Sequence, residues 1–326
     1  MLGYASARPI LGDMDRPERE RRALHLAAAD GMADIVGMLL DCGYDVNARD
    51  IFEQTALHLA ASHNHPSVVR RLLETPNINA LAKDRYRFTP LHAAAQAGSA
   101  EAVSLLLDNT NIHLNWETAH GATALWLATE GEHDEVAERL LQEPSIEVNA
   151  VEKDITLGRS TSLHHAVKNK SLRIVSQLLQ KSSLNPNLLD YATRTPLCWA
   201  AGAGDDQMVV WLLERGDLLL NAVAETGQSP LWLAVQGNHL ETVKRLLQAP
   251  AIDVNNGWAD QTPLLKALKC AHLDVSHMLL EHERLDINAR DGQGHSALTW
   301  SVCAGWNEIV QKILQRTDVE VNEAAE

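Results

Sequence analysis

Histidines recur at one position of a repeated pattern, and histidine is the side chain best suited to exchange protons near neutral pH. The four at this position are His25, His58, His92 and His164. Their regular spacing indicates a structural role instead, a hydrogen bond that links neighbouring repeats. Histidines can also ligate a metal, and two close pairs could do so: His63 with His65, and His164 with His165. Neither pair has a carboxylate or thiol at a recognisable ligand spacing. We therefore predict no metal site and no cofactor.

Acid–base catalysis is the chemistry that the remaining polar residues could support. Glu130, His165 and Lys168 could transfer protons in a hollow left by small residues, and tryptophans could form its wall. The sequence contains no Gly-rich phosphate loop, no GxSxG elbow, no HExxH and no dinucleotide fingerprint. It therefore favours a non-catalytic protein. A small-molecule-binding protein or an acid–base enzyme, for example of secondary metabolism, is the alternative.

The elements that position these residues follow a repeat that runs along almost the whole chain. Each unit has a Thr or Ser, then Pro, Ala or Ser, then Leu, then often His or Trp, with Ala two residues later, as in Thr89-Pro-Leu-His-Ala-Ala94. Successive anchor leucines are 33, 34, 34, 38, 34, 34, 33 and 34 residues apart. The nine anchor leucines are Leu24, Leu57, Leu91, Leu125, Leu163, Leu197, Leu231, Leu264 and Leu298.

Two further patterns run in step with the anchor and predict a helix–turn–helix unit. A pair of large aliphatic residues marks a second helix in each unit, and an asparagine follows it at a turn, closed in our interpretation by side-chain to backbone bonds. The Thr or Ser caps the first helix, and Pro fits its first position. No unit can bury its apolar face alone, so stacking must complete the core. The turn asparagines are Asn47, Asn79, Asn115, Asn149, Asn187, Asn221, Asn255, Asn288 and Asn322.

This pattern resembles the ankyrin repeat, whose marks are Thr-Pro-Leu-His-x-Ala and a period near 33 residues. The resemblance covers residues 17–326, after a leader of residues 1–16, and its Trp variants resemble the ankyrin arrays of fungal proteins. It implies an all-α solenoid of about nine helix–turn–helix units in a single domain. The first unit departs from the pattern at Arg22, as a terminal cap would. The 38-residue step places four extra residues around Val151 to Ser160, in a longer turn that we expect on the binding side.

The resemblance also implies a concave face, built from turn tips and first helices, that binds a protein or peptide. Aromatic residues, which make up only 4% of the chain, concentrate on the elements of that face. Trp126 and Trp232 replace the motif histidine, so packing between repeats is the alternative for these two. Our candidate contact residues are Tyr86, Phe88, Trp126, Arg159, Tyr191, Arg194, Trp199, Trp232, Gln236 and Trp258.

Charge and composition restrict the partner. The 326 residues carry 28 basic and 43 acidic side chains, a formal charge of −15, which favours a basic partner and disfavours nucleic acid. No apolar run is long enough to span a bilayer, so we expect no membrane partner. The four cysteines are far apart, which fits a reducing compartment; we predict a cytoplasmic protein, with the nucleus not excluded. The oligomeric state stays open.

Overall fold

The computed structural model describes residues 16–109, 112–153, 158–224, 227–258 and 261–320, with side chains from residue 23 onward. Within these ranges the secondary structure is entirely helical apart from turns and isolated bridges, which confirms the all-α prediction. The predicted leader of residues 1–16 lies outside the described ranges except for Arg16, where the first helix begins.

The described ranges contain nine pairs of helices, which we number α1 to α18, with the odd-numbered helix first in each repeat. The bounds are α1 Arg16–Ala29, α2 Ala33–Asp41, α3 Ala56–Ser62, α4 Pro66–Leu73, α5 Pro90–Gln96, α6 Ala100–Leu107, α7 Ala124–Glu130, α8 Asp134–Leu141, α9 Ser162–Lys168, α10 Leu172–Gln180, α11 Pro196–Ala203, α12 Asp206–Leu213, α13 Pro230–Gln236, α14 Leu240–Leu247, α15 Pro263–Lys269, α16 Leu273–Leu280, α17 Ala297–Cys303 and α18 Asn307–Leu314.

By its internal contacts the chain divides into two compact units, Met1–Ile146 and Glu147–Glu326. The boundary lies within the 38-residue step, where the repeat spacing is irregular. The first unit holds α1 to α8 and the second holds α9 to α18. Within each unit, a first helix packs against its own second helix and against the first helix of the next repeat.

From α5 onward, the start of each first helix is fixed as the sequence predicts. The capping residue has an extended backbone, and its hydroxyl accepts the N–H of the third helical residue, as Thr89 does from His92 and Ser229 from Trp232. Proline occupies the first position in α5, α11, α13 and α15. These caps satisfy donors that a short helix would otherwise leave unpaired.

The anchor leucines form the core of both units. Those of the first eight repeats are buried, whereas Leu298 of the last repeat is only half-buried. One large aliphatic residue of each second helix packs beside them, for example Leu106 and Leu246. A repeat of fewer than 40 residues therefore gains its core only by stacking on its neighbours.

Candidate functional site

Each repeat after the first begins with a short hairpin, which we call the tip. In most of the described tips the hairpin closes through a backbone hydrogen bond across four residues, such as Asp84 N–H to the Phe88 carbonyl at 2.9 Å. The carboxylate of Asp84 accepts two more backbone N–H groups, those of Tyr86 and Phe88, at 2.9 and 2.8 Å. The tip conformation is therefore set by the backbone before any partner arrives.

Neighbouring tips are also joined through their backbones. In the first unit Arg85 N–H donates to the Phe52 carbonyl at 3.1 Å, and Ala119 N–H donates to the Tyr86 carbonyl at 2.9 Å. In the second unit Tyr191 N–H donates to the Gly158 carbonyl at 2.8 Å. Within each unit, these bonds support neighbouring tips against one another, so the bonded tips are not independent loops.

The longer turn predicted around Val151 to Ser160 is a tip. Its hairpin closes from Glu152 N–H to the Ser160 carbonyl at 3.3 Å, which spans eight residues where most tips span four. This confirms where the four extra residues lie, although residues 154–157 are outside the described ranges. Arg159, one of our candidate contact residues, is exposed at this tip. A binding role for the extension stays a prediction.

The motif histidines link neighbouring repeats, as the sequence predicts. Nδ1 of His92 accepts the backbone N–H of Thr89 at 3.2 Å, so the ring proton is on Nε2, which donates to the Trp116 carbonyl at 2.7 Å. His58 and His164 make the same bonds to the Phe88 and Arg194 carbonyls, and Nε2 of His25 lies 3.0 Å from the Gln54 carbonyl. Burial lowers the pKa of His92 to about 4, so the ring stays neutral.

A second set of histidines was missed by the sequence analysis. These residues precede the second helices, and each bonds a carbonyl near the end of the preceding repeat's first helix, as Nε2 of His133 does with Gln96 at 3.0 Å. The rings of His65, His133 and His239 also lie against glycines, and a Cβ added to Gly98 would come within 2.6 Å of His133. Their recurrence near Gly or Asn was the available signal. The set is His65, His133, His239 and His272.

The turn asparagines do form side-chain to backbone bonds, but their partners lie in the next repeat. Asn221 accepts from the Asp253 N–H at 2.8 Å and donates to the Ala251 carbonyl at 2.8 Å. The same two-bond pattern holds at other asparagines, so they join successive return loops more than they close their own turns. Those with both bonds are Asn47, Asn149, Asn187, Asn221, Asn255 and Asn288.

Three predicted contact residues present large rings at the tips. Tyr86 is 52% exposed, Tyr191 is 57% exposed and Trp258 is 41% exposed. Gln236, at the end of α13, is exposed as well, and the ring of Phe88 is half-buried against His92. Exposed aromatic rings on a fixed backbone are typical of interface anchors.

Two predicted contact residues are buried instead. Trp126 is 3% exposed and Trp232 is 0% exposed, because both indoles occupy the motif position between first helices. Trp232 packs edge-on against Trp258, with ring centroids 5.5 Å apart. Trp126 and Trp232 therefore pack between repeats, which was the alternative for these two residues, and we remove both from the candidate contact surface.

At the tip of the sixth repeat, Arg194 and Trp199 both contact the buried carboxylate of Asp190. The indole N–H of Trp199 donates to Oδ2 of Asp190 at 2.8 Å, and the Arg194 guanidinium lies 2.9 Å from the same oxygen. The guanidinium also stacks over the Trp199 ring at 5.0 Å. Asp190 therefore fixes both side chains, and each leaves part of its surface accessible.

The acid–base residues of the catalytic alternative do not share one environment. Glu130 is exposed and belongs to the first unit, whereas His165 and Lys168 are on α9 in the second. His165 is buried, 2.6 Å from the Ser160 hydroxyl, and burial with the nearby charge of Lys168 lowers its pKa to about 4. Lys168 is exposed at the end of the helix. Within the second unit, His165 and Lys168 therefore differ in exposure, since one side chain is buried and the other lies at the surface.

Two hollows in the described ranges lie away from the candidate catalytic residues Glu130, His165 and Lys168. One of about 490 Å³ is lined by return-loop residues such as Ile78 and Ile112, and one of about 500 Å³ lies between α2 and α4 near Met38. Neither includes a candidate catalytic residue.

The two histidines of one candidate metal pair, His63 and His65, bond backbone carbonyls. His65 bonds the Ala29 carbonyl and His63 bonds the Leu59 carbonyl, so their rings serve the backbone. Across these ranges no three His, Cys, Asp or Glu side chains come together as metal ligands. In the same ranges no helix combines the length and apolar character that crossing a bilayer requires.

The family follows from a comparison with known proteins. A family model described as three copies of ankyrin repeats matches residues 24–116, 78–152, 111–190, 163–257 and 231–324. The chain belongs to the ankyrin-repeat family. Among curated proteins, this ankyrin array is 31% identical over 144 residues to a putative ankyrin repeat protein, FPV244, of fowlpox virus. It is 30% identical over 153 residues to the nuclear factor NF-kappa-B p105 subunit of Gallus gallus.

These matches are partial. They take in 44% and 46% of this chain but only 21% and 15% of the fowlpox and chicken proteins. The ankyrin array therefore corresponds to a segment of each relative. What those proteins do as a whole does not transfer with the repeats.

Proposed function

We propose that this ankyrin-repeat chain is a non-catalytic scaffold that binds a protein or peptide through the tips of its repeats. The observation that carries the proposal is the exposure of Tyr86, Tyr191 and Trp258 at tips whose backbones are already hydrogen-bonded. A surface fixed before binding loses little conformational entropy on association. Aromatic rings supply contact area at low entropic cost.

The charge distribution refines the expected partner. Acidic side chains concentrate on the second helices and the loops that follow them, as in α8, whereas basic residues occur at the tips, such as Arg85, Arg87 and Arg159. The net charge of −15 would attract a basic partner from a distance. The basic residues at the tips, however, do not favour a basic partner. The cytoplasm remains our predicted compartment.

The test compares two triple variants with the intact chain as bait. Tyr86→Ala/Tyr191→Ala/Trp258→Ala removes the exposed tip rings, and Met38→Ala/Leu240→Ala/Leu314→Ala removes three comparably exposed apolar side chains from second helices. We expect the tip variant to lose proteins that the intact chain and the control capture from a lysate. Identical captured sets for all three would overturn the proposal.

A further inference from the structure

The tip of the third repeat carries positive charges that no ion pair within the described ranges neutralises. Lys83, Arg85 and Arg87 lie within five residues of one another, and Arg85 and Arg87 are exposed. Among the described residues none of the three forms an ion pair, whereas Arg49 beside them pairs with Glu53 at 3.2 Å. The nearest carboxylate in sequence, Asp84, is buried and holds backbone N–H groups.

Aromatic rings accompany these cations. The ammonium of Lys83 lies 3.6 Å from the centroid of the Trp116 ring, and the Arg85 guanidinium lies 5.7 Å from that of Phe52. Stacking against a ring holds a long basic side chain in place without neutralising its charge. The ring of Tyr86, which lies between Arg85 and Arg87 along the chain, is exposed.

We propose that this basic aromatic surface, formed by Phe52, Lys83, Arg85, Tyr86, Arg87 and Trp116, binds an acidic peptide segment that carries aromatic side chains. Carboxylates of the segment pair with the two guanidinium groups and the ammonium, and its rings pack on Phe52 and Tyr86. The inference rests on the proposed protein-binding function and names the partner class for the first unit.

The opposite sign of the whole chain does not prevent this. At physiological ionic strength the Debye length is about 8 Å, so a bound segment experiences the charges of the tips it contacts rather than the net charge of −15. Guanidinium groups also bind carboxylates with two parallel hydrogen bonds, which a solvated lysine does not.

A peptide fits this surface better than a nucleic acid does. A phosphate backbone binds tightly only where many cations line its path, and this surface offers three cations, Lys83, Arg85 and Arg87. A short acidic segment needs only two or three pairings.

The experiment measures fluorescence anisotropy of labelled ligands titrated with the full chain. The ligands are a nine-residue peptide of repeated Glu-Phe-Asp, its Lys-Phe-Arg and Gln-Phe-Asn counterparts, and an oligothymidine of similar length. The variant is Arg85→Glu/Arg87→Glu. The control, Arg70→Glu/Arg71→Glu on α4, has the same net charge and alters exposed arginines of the same unit. Circular dichroism verifies that both are folded.

We expect the acidic peptide to bind more tightly than the other three ligands. The tip variant should weaken it by about tenfold or more, the control by less than about twofold, and rising salt should weaken it further. Absent binding, equal loss in both variants, or tighter binding of oligothymidine or of the basic peptide would overturn the inference. If the acidic peptide fails while the alanine tip variant still loses captured proteins, only the partner class is wrong and the scaffold function stands.

Discussion

The motif histidine shows how one side chain can be both polar and structural in this protein. Nδ1 of His92 accepts from its own cap residue, Thr89, and Nε2 donates to the carbonyl of Trp116 in the next repeat. Both ring nitrogens are used, so the ring has no capacity left for a ligand or a substrate. Burial also suppresses proton exchange by these rings.

Replacing this ring should destabilise the stack. His92→Ala leaves the Thr89 N–H and the Trp116 carbonyl without their buried partner and opens a cavity, so we expect the free energy of unfolding to fall by about 2–4 kcal/mol. Urea denaturation followed by circular dichroism measures it. His63→Ala is the control, because His63 is exposed and bonds only within its own helix region; its effect should be below about 0.5 kcal/mol.

The buried histidines also predict a pH dependence. Burial lowers the pKa of His58 and His164, and lowers that of His92 and His165 to about 4. Unfolded histidine has a pKa of about 6.5, so between these values the unfolded chain binds more protons than the folded chain. The free energy of unfolding should therefore decrease as pH falls from about 6.5 to about 4, by up to about 1.4 kcal/mol per pH unit for each histidine.

Urea midpoints measured at about pH 7.5 and about pH 5 test this pH dependence. Carboxylates such as Asp291, whose pKa is lowered, protonate below this pH range, so the difference between the two midpoints reports on the histidines. His92→Gln should reduce the difference between the two midpoints. Equal midpoints for the intact chain would contradict the account of neutral, buried rings.

At the scale of the residue, sequence alone predicts whatever recurs and has a local partner. The caps and the motif histidines repeat in register, and their roles were predictable. The asparagine partners were not, because Asn221 bonds residues about 30 positions away that only stacking brings close. Exposure was also unpredictable for tryptophan: Trp126 and Trp258 are the same residue type, and only packing distinguishes the buried ring from the exposed one.

Between elements, the ends of the first helices are shaped by glycine and by the second set of histidines. Gly98 has φ +71, and a Cβ there would lie 2.6 Å from Nδ1 of His133. Gly305 has nearly the same backbone, φ +72, and no atom within 4 Å of an added Cβ. Substitutions at these two glycines therefore separate the cost of backbone strain from the cost of crowding by His133.

Gly305→Ala should cost about 1 kcal/mol, the strain of an L residue in the left-handed region. Gly98→Ala should cost at least about 2 kcal/mol, because His133 must also give up its bond to the Gln96 carbonyl. Urea denaturation of both variants gives the difference. Equal costs would mean that the histidine contact contributes nothing.

The asparagine bridges predict that return loops stabilise one another. Asn221→Ala removes two bonds to the next loop and should lower the free energy of unfolding by about 1–2 kcal/mol. Asn307→Ala, at the exposed start of α18, is the control and should change it by less than about 0.5 kcal/mol. The bridge would be refuted by two equal urea midpoints.

Over the whole molecule, the division into two compact units coincides with the one irregular repeat spacing. Spacings of 33 or 34 residues give uniform stacking, and the single 38-residue step contains the boundary between the compact units. The sequence located the irregular spacing but not the division into two compact units, because a compact unit is defined by contacts that only the folded chain shows. Each unit buries its own anchor leucines, for example Leu91 and Leu231.

Each unit should therefore fold by itself. Residues 1–146 and residues 147–326, expressed separately, should each give a helical far-UV circular dichroism spectrum and a cooperative urea transition. A helical full-length chain together with an unfolded fragment would show that one unit depends on the other.

The central claim is that partners contact the tips, and site-specific photo-crosslinking tests it most directly. A benzoylphenylalanine at Tyr86 places the crosslinker on a tip, and one at Glu135 places it on the exposed side of α8. After capture from a lysate and irradiation, we predict covalent adducts from position 86 and none from position 135. Adducts from position 135 alone would contradict the claim and place the partner on the second helices.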